Sequence, residues 1–215
     1  TCALPISVKD SFSFNVAQAT VVAPLPPGVQ DGINYNADQT SVTLVLFAPL
    51  KNSAVVIGDF SNWQVTCANQ MKRTPDGNRY FITLTGLTPG TLYKYQYVVD
   101  DTLKIADPYT ELILDPNNDQ YIPAATFPSL PAYPTGLTTG IVSTFQIAAP
   151  VYNWSNNSYS RPDKKNLLIY ELLVRDFLAA GNWQTLTDTL NYLKNLGVNA
   201  IEVMPFNEFE GNSSW

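Results

Sequence analysis

The sequence predicts two folds in series: a small antiparallel β-sandwich, then an α/β segment built on parallel strands. Three observations carry this reading. Residues 33–110 hold short β-branched and aromatic runs, broken by turn residues at a spacing of roughly 10–15 residues, which is sandwich grammar. Residues 115–166 are crowded with proline and lack periodicity, as a connector does. From residue 167 the pattern becomes apolar run, helical stripe, apolar run, as in a βαβ unit.

Each element has its own warrant. Residues 1–30 read as a tail or linker, with Pro24, Pro26, Pro27 and Gly28 as breakers. "SVTLVLFAP" (41–49) is a strand stopped by Pro49, and "SAVVIG" (53–58) is a second. Asp76-Gly77 is a hairpin signal before a strand at about 79–85. "TLYKYQYVVD" (91–100) alternates, with Tyr93, Tyr95, Tyr97 and Val99 on one face and Leu92, Lys94, Gln96 and Val98 on the other. The sandwich is therefore expected within 31–114, with 33–110 able to fold alone. Inside the connector, "GIVSTFQI" (140–147) is a further strand candidate.

"LLIYELLV" (167–174) is the near-continuous apolar run of a strand buried on both faces. In "GNWQTLTDTLNYLKNLG" (181–197), Leu186, Leu190, Leu193 and Leu196 make one apolar stripe, Asn182 can cap the start and Gly197 the end. "VNAIEVMP" (198–205) is a second apolar run closed by Pro205. These strands should be parallel with a right-handed crossover. Two such strands under one helix cannot cover their own faces, so the unit belongs to a larger α/β domain.

Composition excludes several functions. Among 215 residues, 45% are hydrophobic and 14% charged, which supports a packed core rather than disorder. A net charge of −6 argues against a nucleic-acid partner. No apolar run approaches the ~20 residues of a spanning helix. The sequence starts at Thr1-Cys2 without an initiator Met and stops abruptly at Trp215, so the expectation is a mature form or a piece. Cys2 and Cys67 can pair or stay free, and Cys2 also suits the acylated first residue of a lipoprotein. A secreted, periplasmic or surface location is thus favoured over the cytoplasm. Asn153, Asn156 and Asn212 head triplets of the glycosylation pattern, a weak signal.

"VVIGDFSNWQV" (55–65) places a large flat ring, Trp63, in a turn that has no need of one. Trp63 is either a core residue following the turn or a stacking surface for a ligand. A ring beside Asp59 and Asn62 suits a sugar, which offers a C–H face and a rim of hydroxyls.

Residues 166–215 resemble the opening of the catalytic barrel of glycoside hydrolase family 13, the α-amylase and glucan-branching family. Tyr170-Glu171 and Val174-Arg175-Asp176-Phe177 are similar to its first strand and strand end, Leu196 to Pro205 to its second strand, and Gly211-Asn212 with Trp215 to the segment after it. "GDFSNW" (58–63), "YQYVVDD" (95–101) and "ADPY" (106–109) resemble the family 48 carbohydrate-binding module, an immunoglobulin-like sandwich of the early-set type that precedes such barrels. The resemblance implies a β-sandwich followed by the start, strand–helix–strand, of a (β/α)8 TIM barrel. It implies an α-glucan partner, such as starch, glycogen or a maltooligosaccharide, and a retaining mechanism with a nucleophilic and an acid/base carboxylate.

In that family the catalytic carboxylates stand on later strands and two His grip the substrate. This sequence has no His and reaches only the second strand, so no catalytic residue is carried over and the chain by itself is expected to be inactive. Candidate substrate contacts are Trp63, Asn207 and Trp215. Some glucan-binding modules carry a second Trp shortly before the Asp-Pro, where this sequence has Leu103. Asp176, Glu208 and Glu210 follow strand ends, the face that carries the site in such barrels. Glu171 and Glu202 lie within strands, where a place in a barrel interior or an interstrand hydrogen bond is expected. No cofactor is implied, apart from calcium in a full-length enzyme. The alternative is a non-catalytic glucan-binding or scaffolding protein.

Overall fold

The computed structural model describes residues 19–125, 127–156 and 158–206. The chain forms two compact units. One comprises residues up to 113 together with 136–149, and the other comprises 114–135 and 150 onward.

The first unit is a sandwich of two sheets. Its strands in chain order are β1 (Gly32–Tyr35), β2 (Val42–Phe47), β3 (Ala54–Gly58), β4 (Lys72–Arg73), β5 (Arg79–Leu84), β6 (Leu92–Val99), β7 (Leu103–Ile105), β8 (Ile113–Leu114, at the unit boundary) and β9 (Val142–Gln146). One sheet has the order β1-β2-β5-β4. The other runs β3-β6-β9-β8, with β7 also on β6. β2 pairs antiparallel with both β1 and β5, and β6 with β3, β7 and β9.

The core lies between the sheets. Val42, Leu44 and Leu46 of β2 and Tyr80 and Leu84 of β5 meet Ala54 and Val56 of β3, Tyr95, Tyr97 and Val99 of β6, and Phe145 of β9. The period of two in β6 is realised, with Tyr93 packing at the rim of the same core. The Asp76-Gly77 turn forms as well. Gly77 takes φ 75°, and the Asp76 carboxylate accepts from the Thr74 hydroxyl and the Asn78 N–H. Those hydrogen bonds, the Thr74 hydroxyl first, hold Asp76 below the usual carboxylate range.

β9 makes the sandwich longer than the sequence boundary of 31–114. Residues 115–135 leave the sandwich, and the chain returns at 136–149 to lay β9 beside β6, matching Tyr93 with Phe145 and Tyr95 with Ser143. The expected connector of 115–166 thus contains one of the sandwich's central strands.

The second unit contains the strand–helix–strand segment. β10 (Ile169–Leu172) pairs in parallel with β11 (Ala200–Val203). Between them lie a short α1 (Val174–Phe177) and α2 (Trp183–Asn195). Asn182 caps α2 by accepting from the Thr185 N–H at 2.9 Å, and Gly197 ends it at φ 87°. The apolar stripe is only half used. Leu186 and Leu193 are buried with Leu172, Val174 and Val203, while Leu190 and Leu196 are exposed. Leu186 and Leu193 are seven residues apart and nearly eclipsed on a helix of 3.6 residues per turn, whereas Leu196 ends well round the helix from them.

Candidate functional site

The turn carrying Trp63 is built by close backbone approach. β3 ends at Gly58, where an added Cβ would stand 2.3 Å from the Lys94 carbonyl oxygen of β6. Only glycine lets the two strands meet there. The Ser61 hydroxyl closes the turn, accepting from the Gly58 N–H at 3.0 Å. Asn62 and Trp63 then both adopt left-handed conformations, φ 49° and 60°. The Trp63 N–H reaches back to the Gly58 carbonyl at 3.0 Å.

This reversal settles which way the ring faces. Trp63 is 5% exposed, and its indole N–H donates to Asp59 Oδ1 at 3.2 Å. Asp59 Oδ2 accepts from the Lys94 N–H at 3.0 Å, tying the turn to β6. In this structure the ring is thus packed inside the turn. Replacing Trp63 with Phe keeps most of the packing and removes the hydrogen bond to Asp59. The expected cost is about 1–2 kcal/mol, read from the urea midpoint at unchanged m-value.

The other two candidate contacts, Asn207 and Trp215, lie outside the described residues, as do Glu208, Glu210 and Cys2. Cys67 is a free, exposed thiol. It borders a groove of about 360 Å³ in the sandwich, lined also by Val21, Met71, Phe81 and Thr83.

In the second unit Asp176 lies within α1, four residues beyond the end of β10. Arg175 Nε donates to Asp176 Oδ1 at 2.9 Å, and this hydrogen bond holds the exposed carboxylate below its usual range. Glu171 and Glu202 are neighbours in register on the parallel pair, on the face away from α2. Both are exposed, against the expectation of an interior place. Among the described residues neither strand has a second strand neighbour.

Exposed rings are plentiful here. Tyr152 and Trp154 meet edge to face at 4.9 Å, both more than 70% exposed. Among the described residues no cluster of three or more His, Cys, Asp and Glu is placed to hold a metal ion. No helix there is long and apolar enough to cross a membrane.

The chain thus sets a two-sheet sandwich, carrying the Gly58–Trp63 turn, ahead of a parallel strand–helix–strand segment. Residues 32–117 match the model of carbohydrate-binding module 48, the isoamylase N-terminal domain. The chain is similar to curated proteins that include a malto-oligosyltrehalose trehalohydrolase, 1,4-alpha-glucan branching enzymes and an isoamylase. It is 28% identical over 182 residues to the malto-oligosyltrehalose trehalohydrolase of Saccharolobus solfataricus, covering 84% of this chain and 27% of that protein. It is 28% identical over 188 residues to the 1,4-alpha-glucan branching enzyme GlgB of Cupriavidus pinatubonensis, covering 81% and 23%. The chain therefore spans about a quarter of the length of these relatives. Among solved structures, a putative alpha amylase from Salmonella typhimurium superposes with a TM-score of 0.59 at 22% identity, over 84% of this chain and 25% of that one. That likeness extends to the fold.

Proposed function

We propose that this chain is the N-terminal portion of an α-glucan-active family 13 enzyme, a hydrolase or glucanotransferase. In this reading β10, α2 and β11 begin a (β/α)8 barrel. The observation that carries it is the parallel β10–β11 pair with its crossover helix. A free-standing binding module has no use for half-covered parallel strands, whereas a barrel supplies the strands that flank them. Similarity to a trehalohydrolase and to branching enzymes over more than 80% of the chain supports the same reading.

The roles divide accordingly. The sandwich braces or presents glucan, and the barrel cleaves by a retaining mechanism with two carboxylates from strands beyond β11. Asp176 and the residues after β11 would line the approach to that site, since strand C-termini carry the chemistry in such barrels. Sequencing the gene past the Trp215 codon tests the reading. Further strand–helix units with Asp and Glu at strand ends support it, and an immediate stop codon overturns it in favour of a non-catalytic glucan-binding protein.

The chain alone is expected to release no reducing ends from amylose, because neither member of the carboxylate pair has been placed on it. Activity above a boiled control would show that its own carboxylates, Glu171 and Glu202 foremost, do more than this reading allows.

A further inference from the structure

The sandwich buries Trp63 yet still presents two large rings to solvent on a single patch. Phe47, at the end of β2, is 51% exposed, and Tyr109, in the segment after β7, is 56% exposed. Arg79 is the cross-strand partner of Phe47, and its guanidinium carbon stands 5.2 Å from the centre of the Phe47 ring. Asp31 holds that guanidinium at two points, accepting from Nε at 2.6 Å and from Nη2 at 3.1 Å. Asp31 leads directly into Gly32, and Tyr109 rests on Gly32 so closely that an added Cβ would meet Tyr109 Cβ at 2.4 Å. Gly32 faces Val45 across the strands, two residues before Phe47. Asp31, Phe47, Arg79 and Tyr109 are therefore contiguous.

Three features specify the ligand chemistry. The guanidinium is matched by the Asp31 carboxylate, so an anionic partner gains little there. The rings offer apolar faces of the kind that C–H surfaces stack upon. A fixed Arg–Asp pair with spare N–H donors and carboxylate lone pairs can bind adjacent hydroxyls, giving and accepting at once. A neutral polyhydroxyl chain meets all three. A protein partner would ask for roughly 800 Å² on each side, far more than two rings and an ion pair present.

We propose that Asp31, Phe47, Arg79 and Tyr109 form an α-glucan contact surface on the sandwich, distinct from the Trp63 turn. The proposal rests on the glucan reading given above and adds where the sandwich would make contact.

Affinity electrophoresis of the full chain through gels with and without glycogen tests it, with maltoheptaose titration giving the dissociation constant. The native chain should be retarded. Tyr109→Ala and Phe47→Ala should each weaken binding about five- to tenfold at an unchanged thermal midpoint. Phe47→Tyr, which keeps the ring, should bind as the native chain does. Tyr121→Ala, an exposed ring of the other unit, should leave binding unchanged. If the native chain is retarded and both alanine variants are retarded equally, this surface is wrong while glucan binding stands. If the native chain is not retarded at all, glucan binding by the sandwich falls together with the proposal.

Discussion

A chain ending at residue 110 should fail to fold, whereas one ending at residue 149 should give a cooperative unfolding transition. The difference lies in β9 and the residue after it. Val142, Phe145 and Ile147 are each at most 2% exposed. Phe145 stacks on Tyr93 with ring centres 5.4 Å apart and lies against Tyr95 at 5.3 Å. Uncovering three such side chains forfeits about 5–9 kcal/mol at ~1.5–3 kcal/mol each. That rivals the ~5–15 kcal/mol that holds a typical domain together. The loss also strips β6 of a neighbour and exposes its backbone edge. Circular dichroism through a thermal ramp reads the outcome directly. A cooperative transition in the 110-residue chain would mean that β9 is an accessory strand. Because 33–110 looked self-sufficient in sequence, this result separates the two boundaries cleanly.

Asp107→Ala is the most damaging single substitution expected in the sandwich. Asp107 is 2% exposed and serves three donors. Its Oδ2 accepts from the Tyr95 hydroxyl at 2.7 Å and the Tyr97 hydroxyl at 2.8 Å, and its Oδ1 accepts from the Tyr109 N–H at 2.8 Å. Its own N–H donates to the Ser143 hydroxyl on β9 at 2.6 Å. Alanine leaves two phenol hydroxyls buried without an acceptor, at about 1–3 kcal/mol each, so a loss of about 3–5 kcal/mol is expected. Urea unfolding checks it, and a loss below about 1 kcal/mol would show the phenols finding other partners.

The same cluster sets an alkaline limit. Burial, with the Asp107 charge adding to it, pushes the Tyr97 phenol well above its ordinary value, and burial does the same to Tyr95. A group whose folded pKa is raised stabilises the fold below its unfolded pKa. That contribution is lost as pH climbs from the unfolded value of about 10 toward the folded one. The urea midpoint should therefore fall as pH rises beyond about 10, with little tyrosinate absorbance from these two rings before unfolding.

Much of this architecture was legible because local signals agreed with the tertiary outcome. The alternation in β6 put Tyr95, Tyr97 and Val99 on the core side, and Asn182 and Gly197 marked both ends of α2. Other features were hidden for physical reasons. β9 belongs to the sandwich through hydrogen bonds to β6, while an excursion of some twenty proline-rich residues separates it from the other strands in sequence. Residue type cannot report a long-range partner. Trp63 turns inward because two consecutive residues adopt positive φ, a conformation that neither an Asn nor a Trp declares by itself. Glu171 and Glu202 read as interior because their neighbours are apolar, but strand burial depends on flanking strands that the described residues do not include. The Asp31–Arg79 pair, 48 positions apart, had no sequence signal at all.

The contact at Gly58 bears on how this turn can be varied in the laboratory. A randomised library over residues 58–65, selected only for folded protein, meets two different kinds of position. At position 58 the obstacle to any side chain is the Lys94 carbonyl oxygen, a backbone atom of a paired strand that has nowhere to go. At positions 64 and 65 the side chains are exposed, and Gln64 makes only a local hydrogen bond. Diversity introduced to give this turn a new ligand would thus be carried by the later positions, with glycine held at the first.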